Sequence, residues 1–494
     1  MSVLLLVLAC TCQAPGPSGP AAPPGPDVLW ITVDTLRADR LGFAGHDGAT
    51  TPHLDALAAR GAVFPQATTP LPRTTPALAS ALTGLLPAHH GSVEVGDPID
   101  EVATVAEALQ AAGWHTVGIS AMSVAGPEQG LDRGFDHFAV HHDLPAPELV
   151  REALRATPRD GRRFLWVHMS DPHFPYLPEG DDGGACRVAG QAAASGDLMR
   201  VDLFVDRDGK ARDMLPGCEA LYDGEIARVD RAVGELLAGF GGEPWVFFSA
   251  DHGEHLGEQG LFYEHGPTVH GANARVPLVI AGPGIRTGAR PGLAQLVDLA
   301  PTTLGLAEVA SPAPVDGVDL GPTLLGGAPV PRQHASMVSG SALQLRLSTS
   351  LVAGRGERWC LHDARFSLCH RPRGVSLHDR DRDPELRRDV SDRHPEERAR
   401  LEAAAAHWGP EQGRERAVLD RTHKLVGRPQ LDGGFRWSLY DLDDADEAVD
   451  RAADHPEVVA RLQAAGAELF EALGAAEALS ADEQEQLRAL GYLE

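Results

Sequence analysis

The stretch DVLWITVD, Asp27–Asp34, carries an unbroken run of apolar and β-branched residues and ends on a carboxylate. A run of this kind, too short for a helix, reads as a strand buried on both faces. Four further runs repeat the pattern: WHTVGIS (Trp114–Ser120), RFLWVHM (Arg163–Met169), PWVFFSA (Pro244–Ala250) and RVPLVIAG (Arg275–Gly282). Between them PHLDALAARG (Pro52–Gly61), VATVAEALQAAG (Val102–Gly113) and Glu219–Phe240 read as helices. This alternation predicts an α/β fold built on a large, mostly parallel sheet sandwiched by helices. Ligands in such sheets gather at the carboxyl ends of the strands.

Two of those ends carry acidic groups. Asp34 closes the first run, and Asp251-His252-Gly253-Glu254 follows PWVFFSA. A carboxylate where a buried strand emerges is costly unless it is paired or binds a cation. Further along, ATTPLPRTTPALASALTG (Ala67–Gly84) contains Thr74-Thr75-Pro76, which reads as a helix start with a threonine cap and proline at the first helical position. A hydroxyl at a helix mouth sits where backbone N–H groups favour an anion such as sulfate or phosphate. Asp34, Asp251, His252 and the Thr74 hydroxyl together form a hard oxygen and nitrogen donor set for a divalent metal, which would turn Thr74 into a nucleophile. Taken one at a time, the same residues read as a turn former, a loop and a helix cap, and spacing leaves both readings open.

The chain has 494 residues and a formal net charge of -27, which calls for more than one core and argues against nucleic acid as a partner. Its first residues, MSVLLLVLACTCQ, form an apolar run too short to span a bilayer. Val7-Leu8-Ala9-Cys10 resembles the cleavage box of a bacterial lipoprotein signal, so export and a membrane tether through lipidated Cys10 are expected. Residues 1–26 form this signal and a Pro/Ala/Gly-rich tether, 27–330 a catalytic domain with an insertion at 180–217, and 331–494 a smaller C-terminal α+β subdomain. Cys186 with Cys218, and Cys360 with Cys369, are nearest neighbours for two disulfides, although other connectivities remain open. Within the subdomain SLHDRDRDPELRRDVSDRHPEERARLEAA, from Ser376, and SLYDLDDADEAVDRAADHPEVVARLQAA, from Ser438, read as two copies of one strand-turn-helix unit.

VLWITVDTLRADRLG, TPHLDALAARGAVFPQA, TTPALASALTGLLPAHHG, GLDRGFDHF, HMSDPHFPY, FFSADHGEHLGEQGLFYEHG and RVPLVIAGPG stand in the order and spacing of the sulfatase family. The chain resembles that family, within the alkaline phosphatase superfamily, from about Asp27 to its last residue. The resemblance implies an alkaline-phosphatase-like sheet with a smaller sheet packed beside it. It also implies metal ligands at Asp34, Asp251 and His252, a nucleophile at Thr74, and His173 and His265 as groups that hold the anion or protonate the leaving group. His168, inside a strand, reads as a core histidine.

Sulfatases of the usual kind carry Cys or Ser at the nucleophile position, converted to formylglycine within a C/S-x-P-S-R motif. This chain reads Thr74-Thr75-Pro76-Ala77-Leu78 instead, so no formylglycine is expected. The expected activity is hydrolysis of a sulfate or phosphate ester on a small molecule, glycan or lipid-linked substrate, with Ca, Mn, Mg or Zn as metal. Alternatives are a phosphodiesterase or phosphoryl-group transferase of the same superfamily, and a catalytically silent extracytoplasmic binding protein. A second metal, using Asp171 and His173, is also to be considered.

Overall fold

The computed structural model describes residues 25–178 and 210–339 and, with short breaks, 345–399 and 414–469, apart from 49 and 259–260. The signal and tether segment before residue 25, Cys10, Cys186, most of the expected insertion and the chain end lie outside the described residues.

Eight strands form the main sheet: β1 (Val28–Val33), β2 (Gly61–Val63), β3 (His115–Ser120), β4 (His137–Val140), β5 (Arg163–Met169), β6 (Trp245–Ala250), β7 (Leu278–Ala281) and β8 (Gly288–Ala289), in the order β8-β2-β7-β6-β1-β5-β3-β4. β1 lies at the centre, parallel to β6 on one side and β5 on the other. Only β7 runs against its neighbours. All five sequence runs are strands, and every residue of β1 and β6 is buried. The central strands contribute Trp30, Phe164, Trp166, Phe247 and Phe248 to one core, each worth about 1.5–3 kcal/mol of apolar transfer. The two indoles find partners for their N–H groups: Trp30 Nε1 donates to Thr303 Oγ1 at 3.0 Å and Trp166 Nε1 to Thr32 Oγ1 at 2.9 Å. His168 lies 2.9 Å through Nδ1 from the same Thr32 hydroxyl, and burial pushes its pKa down to about 3. It is a neutral core histidine.

Helices α1 (Pro52–Ala59), α2 (Thr74–Thr83) and α3 (Val105–Ala111) match the sequence reading. A fourth, α4 (Ala146–Ala156), packs on α5 (Lys210–Phe240), which begins nine residues before the Glu219 expected from sequence. The start of α2 differs in detail. Arg73 is the cap residue and Thr74 the first helical residue, while the Thr75 hydroxyl donates to Val124 O at 2.7 Å instead of capping. The helix stops at Gly84, whose φ of 72° is the left-handed conformation that glycine adopts without strain.

Beyond Pro331 the chain forms two antiparallel sheets, one of four strands and one of five. The two sequence copies prove alike in hydrogen bonding. In the first, Asp389 Oδ1 accepts from Leu377 N at 3.1 Å and Ser391 N at 2.9 Å, and Val390 N donates to Leu377 O at 2.7 Å. In the second, Asp450 Oδ1 accepts from Leu439 N at 3.0 Å and Ala452 N at 2.9 Å, and Arg451 N donates to Leu439 O at 2.7 Å. Cys360 and Cys369 are register partners on adjacent strands, and Cys218 is disulfide-bonded.

Candidate active site and metal centre

Val33 of β1 and Ala250 of β6 are register partners in the parallel ladder, so the residues that follow them, Asp34 and Asp251, leave the sheet side by side at its carboxyl edge. The turn after β1 is held by α5. Tyr222 Oη donates to Thr35 O at 2.6 Å and accepts from Arg37 N at 2.9 Å. Thr35 takes a φ of 56°, a costly conformation for a β-branched residue. Its N–H donates to Asp251 Oδ1 at 3.2 Å, tying the two strand ends together.

Asp34, Asp251 and His252 are fully buried, and one donor atom from each lies within 4.8 Å of the others. His252 Nε2 is 3.3 Å from Asp251 Oδ2 and 3.7 Å from Asp34 Oδ1. Its other nitrogen, Nδ1, lies 3.0 Å from Gly253 O, an atom that only accepts, so Nδ1 carries the proton and Nε2 presents a lone pair. Burial drives the imidazole well below its usual pKa. Burial and then the Asp34 charge push the Asp251 carboxyl well above the carboxylate range. Asp251 Oδ2 accepts no hydrogen bond among the described residues. A histidine lone pair and two buried carboxylates converging within 4.8 Å fit a hard divalent cation.

The predicted nucleophile and both further histidines assemble beside this cluster. Thr74 Oγ1, at the first residue of α2, is 3.4 Å from His252 Nε2, and Thr74 is only 2% exposed. The His265 ring stacks on His252 with centroids 4.5 Å apart, and the His173 ring meets His265 edge-on at 5.2 Å. His173 is half-buried, whereas His265 is buried. His173 Nδ1 lies 2.8 Å from Phe174 O, so by the same logic Nδ1 is protonated and Nε2 is its acceptor.

Asp171 does not join them. Its carboxylate accepts from Arg228 Nε at 2.6 Å and from Ala146 N, so the second metal considered from sequence finds no ligand there. Four groups escaped the sequence reading. Glu254 Oε1 lies 3.5 Å from His265 Nδ1, while its other oxygen accepts from the buried Tyr176 hydroxyl. Arg73 and Glu264 form a buried ion pair at 3.2 Å. Arg73 and Glu264 adjoin Thr74 and His265 in the chain, and Glu254 and Tyr176 lie within three residues of His252 and His173; that closeness was the only signal available. A cavity of about 350 Å³ at the seam with the C-terminal sheets, lined by Arg37, Glu258, Lys424 and Glu447 among others, touches none of the site residues.

A buried carboxylate, histidine and hydroxyl cluster thus stands at the carboxyl edge of the mostly parallel sheet. Residues 26–309 match the sulfatase family, and the chain belongs to it. It is similar to the ulvan-active sulfatase of Formosa agariphila, 26% identical over 59% of this chain and 63% of that protein. Similarity to bovine arylsulfatase A is 32% identity over 60% of this chain and 66% of that one. These alignments span just under two thirds of both relatives. The fold resembles that of the phosphonate monoester hydrolase SpPMH from Silicibacter pomeroyi, with a TM-score of 0.63, 19% identity and coverage of 91% and 96% of the two chains.

Proposed function

We propose that this chain hydrolyses sulfate esters, or phosphate esters, with Thr74 as the nucleophile. The observation that carries the reading is the 3.4 Å approach of the Thr74 hydroxyl to His252 Nε2 within the Asp34, Asp251 and His252 cluster. The sulfatase relatives support sulfate. Threonine in place of a formylglycine precursor favours the second reading, a phosphodiesterase or phosphoryl transferase, because an unmodified hydroxyl must itself form the covalent ester.

A divalent cation held by Asp34, Asp251 and His252 would supply Lewis-acid charge that acidifies a hydroxyl and offsets the anion. Thr74 Oγ gives up its proton to water and forms a bond to sulfur or phosphorus as the ester oxygen departs. His265 or His173, in the protonated state, gives that oxygen its proton. Water then cleaves the threonyl ester and returns a proton to the histidine. His173, the wetter of the two, stands towards solvent, where an incoming ester would first meet the site. Export and anchoring through Cys10 belong to the same proposal.

The test is turnover of paired aryl sulfate, phosphate monoester and phosphodiester substrates with Ca, Mg, Mn or Zn supplied in turn. Metal-dependent hydrolysis lost in Thr74→Ala is the expected result. Failure on all three ester classes with every metal would reject hydrolysis and leave the transferase and the silent binding protein.

A further inference from the structure

Arg73 and Glu264 sit immediately before Thr74 and His265 in the chain. The Arg73 side chain is fully buried and that of Glu264 nearly so, and Arg73 Nη1 donates to Glu264 Oε1 at 3.2 Å. The contact closes a ring of neighbours. Arg73 leads into Thr74, whose hydroxyl is 3.4 Å from His252 Nε2. His252 stacks at 4.5 Å on His265, and His265 follows Glu264, which returns to Arg73. One side of this ring is the start of α2 and the other is the loop after the short strand Phe262–Glu264. Nothing in the chain's local order links them, since they are separated by some 190 residues.

The loop is shaped to receive the guanidinium. Gly266 has a φ of 93°, and a Cβ placed there would lie 2.1 Å from Arg73 Nε and 2.3 Å from Cζ. The arginine therefore fills the space that a side chain at 266 would take. A buried ion pair is a poor means of stabilising a core, because an apolar pair of similar volume often does as well. What it adds is direction: a planar guanidinium fixes its partner in angle as well as distance. The same loop is gripped on its far side, where Glu254 lies 3.5 Å from His265 Nδ1.

We propose that Arg73 and Glu264 are a positioning pair that sets the spacing between the Thr74 hydroxyl and the His265 ring. This rests on Thr74 and His265 acting as read above. In the step concerned, Thr74 Oγ gives its proton to water and bonds to sulfur or phosphorus, the bond to the ester oxygen breaks with its electron pair on that oxygen, and protonated His265 gives that oxygen a proton. A poor leaving group needs that proton and therefore the spacing. A nitrophenolate needs it far less.

The experiment pairs crystal structures with kinetics for the wild type, Arg73→Met, Arg73→Lys and Glu264→Gln. In Arg73→Met the His265 ring is expected to leave its 4.5 Å stack on His252, and hydrolysis of alkyl esters to fall about 100-fold against about 10-fold for nitrophenyl esters. Arg73→Lys should recover part of the difference. A ring that stays in place in both Arg73→Met and Glu264→Gln overturns the proposal whatever the activity, and so does an equal loss on both leaving groups. A wild type inactive on every ester would instead reject the catalytic reading, with the ring position still deciding the positioning role. Should Arg73→Met fail to fold, Glu264→Gln, which keeps volume and one acceptor, carries both measurements.

Discussion

Two sets of aspartates in this molecule follow β-strands and accept backbone N–H groups through one oxygen, and what surrounds them differs. Asp389 and Asp450, after the strands of the C-terminal copies, each accept two backbone N–H groups through one oxygen. Asp251, after β6, likewise accepts from Thr35 N and His252 N through Oδ1, but it is fully buried beside Asp34 and keeps Oδ2 without a hydrogen-bond donor among the described residues. The pKa directions follow. Burial alone would raise Asp450, yet the Ala452 and Leu439 N–H groups hold it below the carboxylate range, whereas Asp251 is driven up by burial and by Asp34. An exposed carboxylate that holds its own local backbone is a structural clamp. One buried beside a second carboxylate and a histidine lone pair is poised for a cation.

The strongest break of that contrast lies beside the Asp34, Asp251 and His252 cluster. Thr74→Ala should reduce turnover by about 10⁴-fold or more, the scale seen when a nucleophile is removed, with the folded state intact by circular dichroism. Next, Asp251→Asn should weaken divalent-cation binding, read by calorimetry, by more than about 100-fold, the upper end for partners that merely support a ligand. Asp450→Asn should leave cation affinity unchanged, and equal losses in the two variants would erase the distinction. At the C-terminal unit the effect is on stability: Asp450→Asn and Asp389→Asn should each cost about 1 kcal/mol in denaturant unfolding. The smallest effect is in pH. Because the folded Asp450 carboxyl titrates below its unfolded value, its contribution is present above about pH 4 and fades as pH falls through the folded pKa. The stability gap between wild type and Asp450→Asn should therefore narrow on acidification.

The strand runs were legible because a strand buried on both faces has to be apolar along nearly its whole length, and in β1 and β6 only Thr32 and Ser249 interrupt the apolar run. The duplicated unit was legible because its aspartate recurs at one offset from its strand, and a side chain that caps local backbone needs nothing from afar. The start of α2 was misjudged by two residues, since Thr75 finds Val124 O, a partner 49 positions away. Asp171 looked free for the same reason: Arg228, which takes it, lies on α5.

Sequence by itself determined the sheet, its helices, the repeat and the identity of the six candidate groups, because periodicity and motif order are properties of short segments. Tertiary structure alone decided which of those groups meet. The parallel pairing of β1 with β6 sets Asp34 beside Asp251, and the fold of the loop before Gly266 lays His265 on His252. It also brought in Arg73, Glu264, Glu254 and Tyr176, whose roles depend on contacts between residues far apart in the chain, where no local pattern can record them.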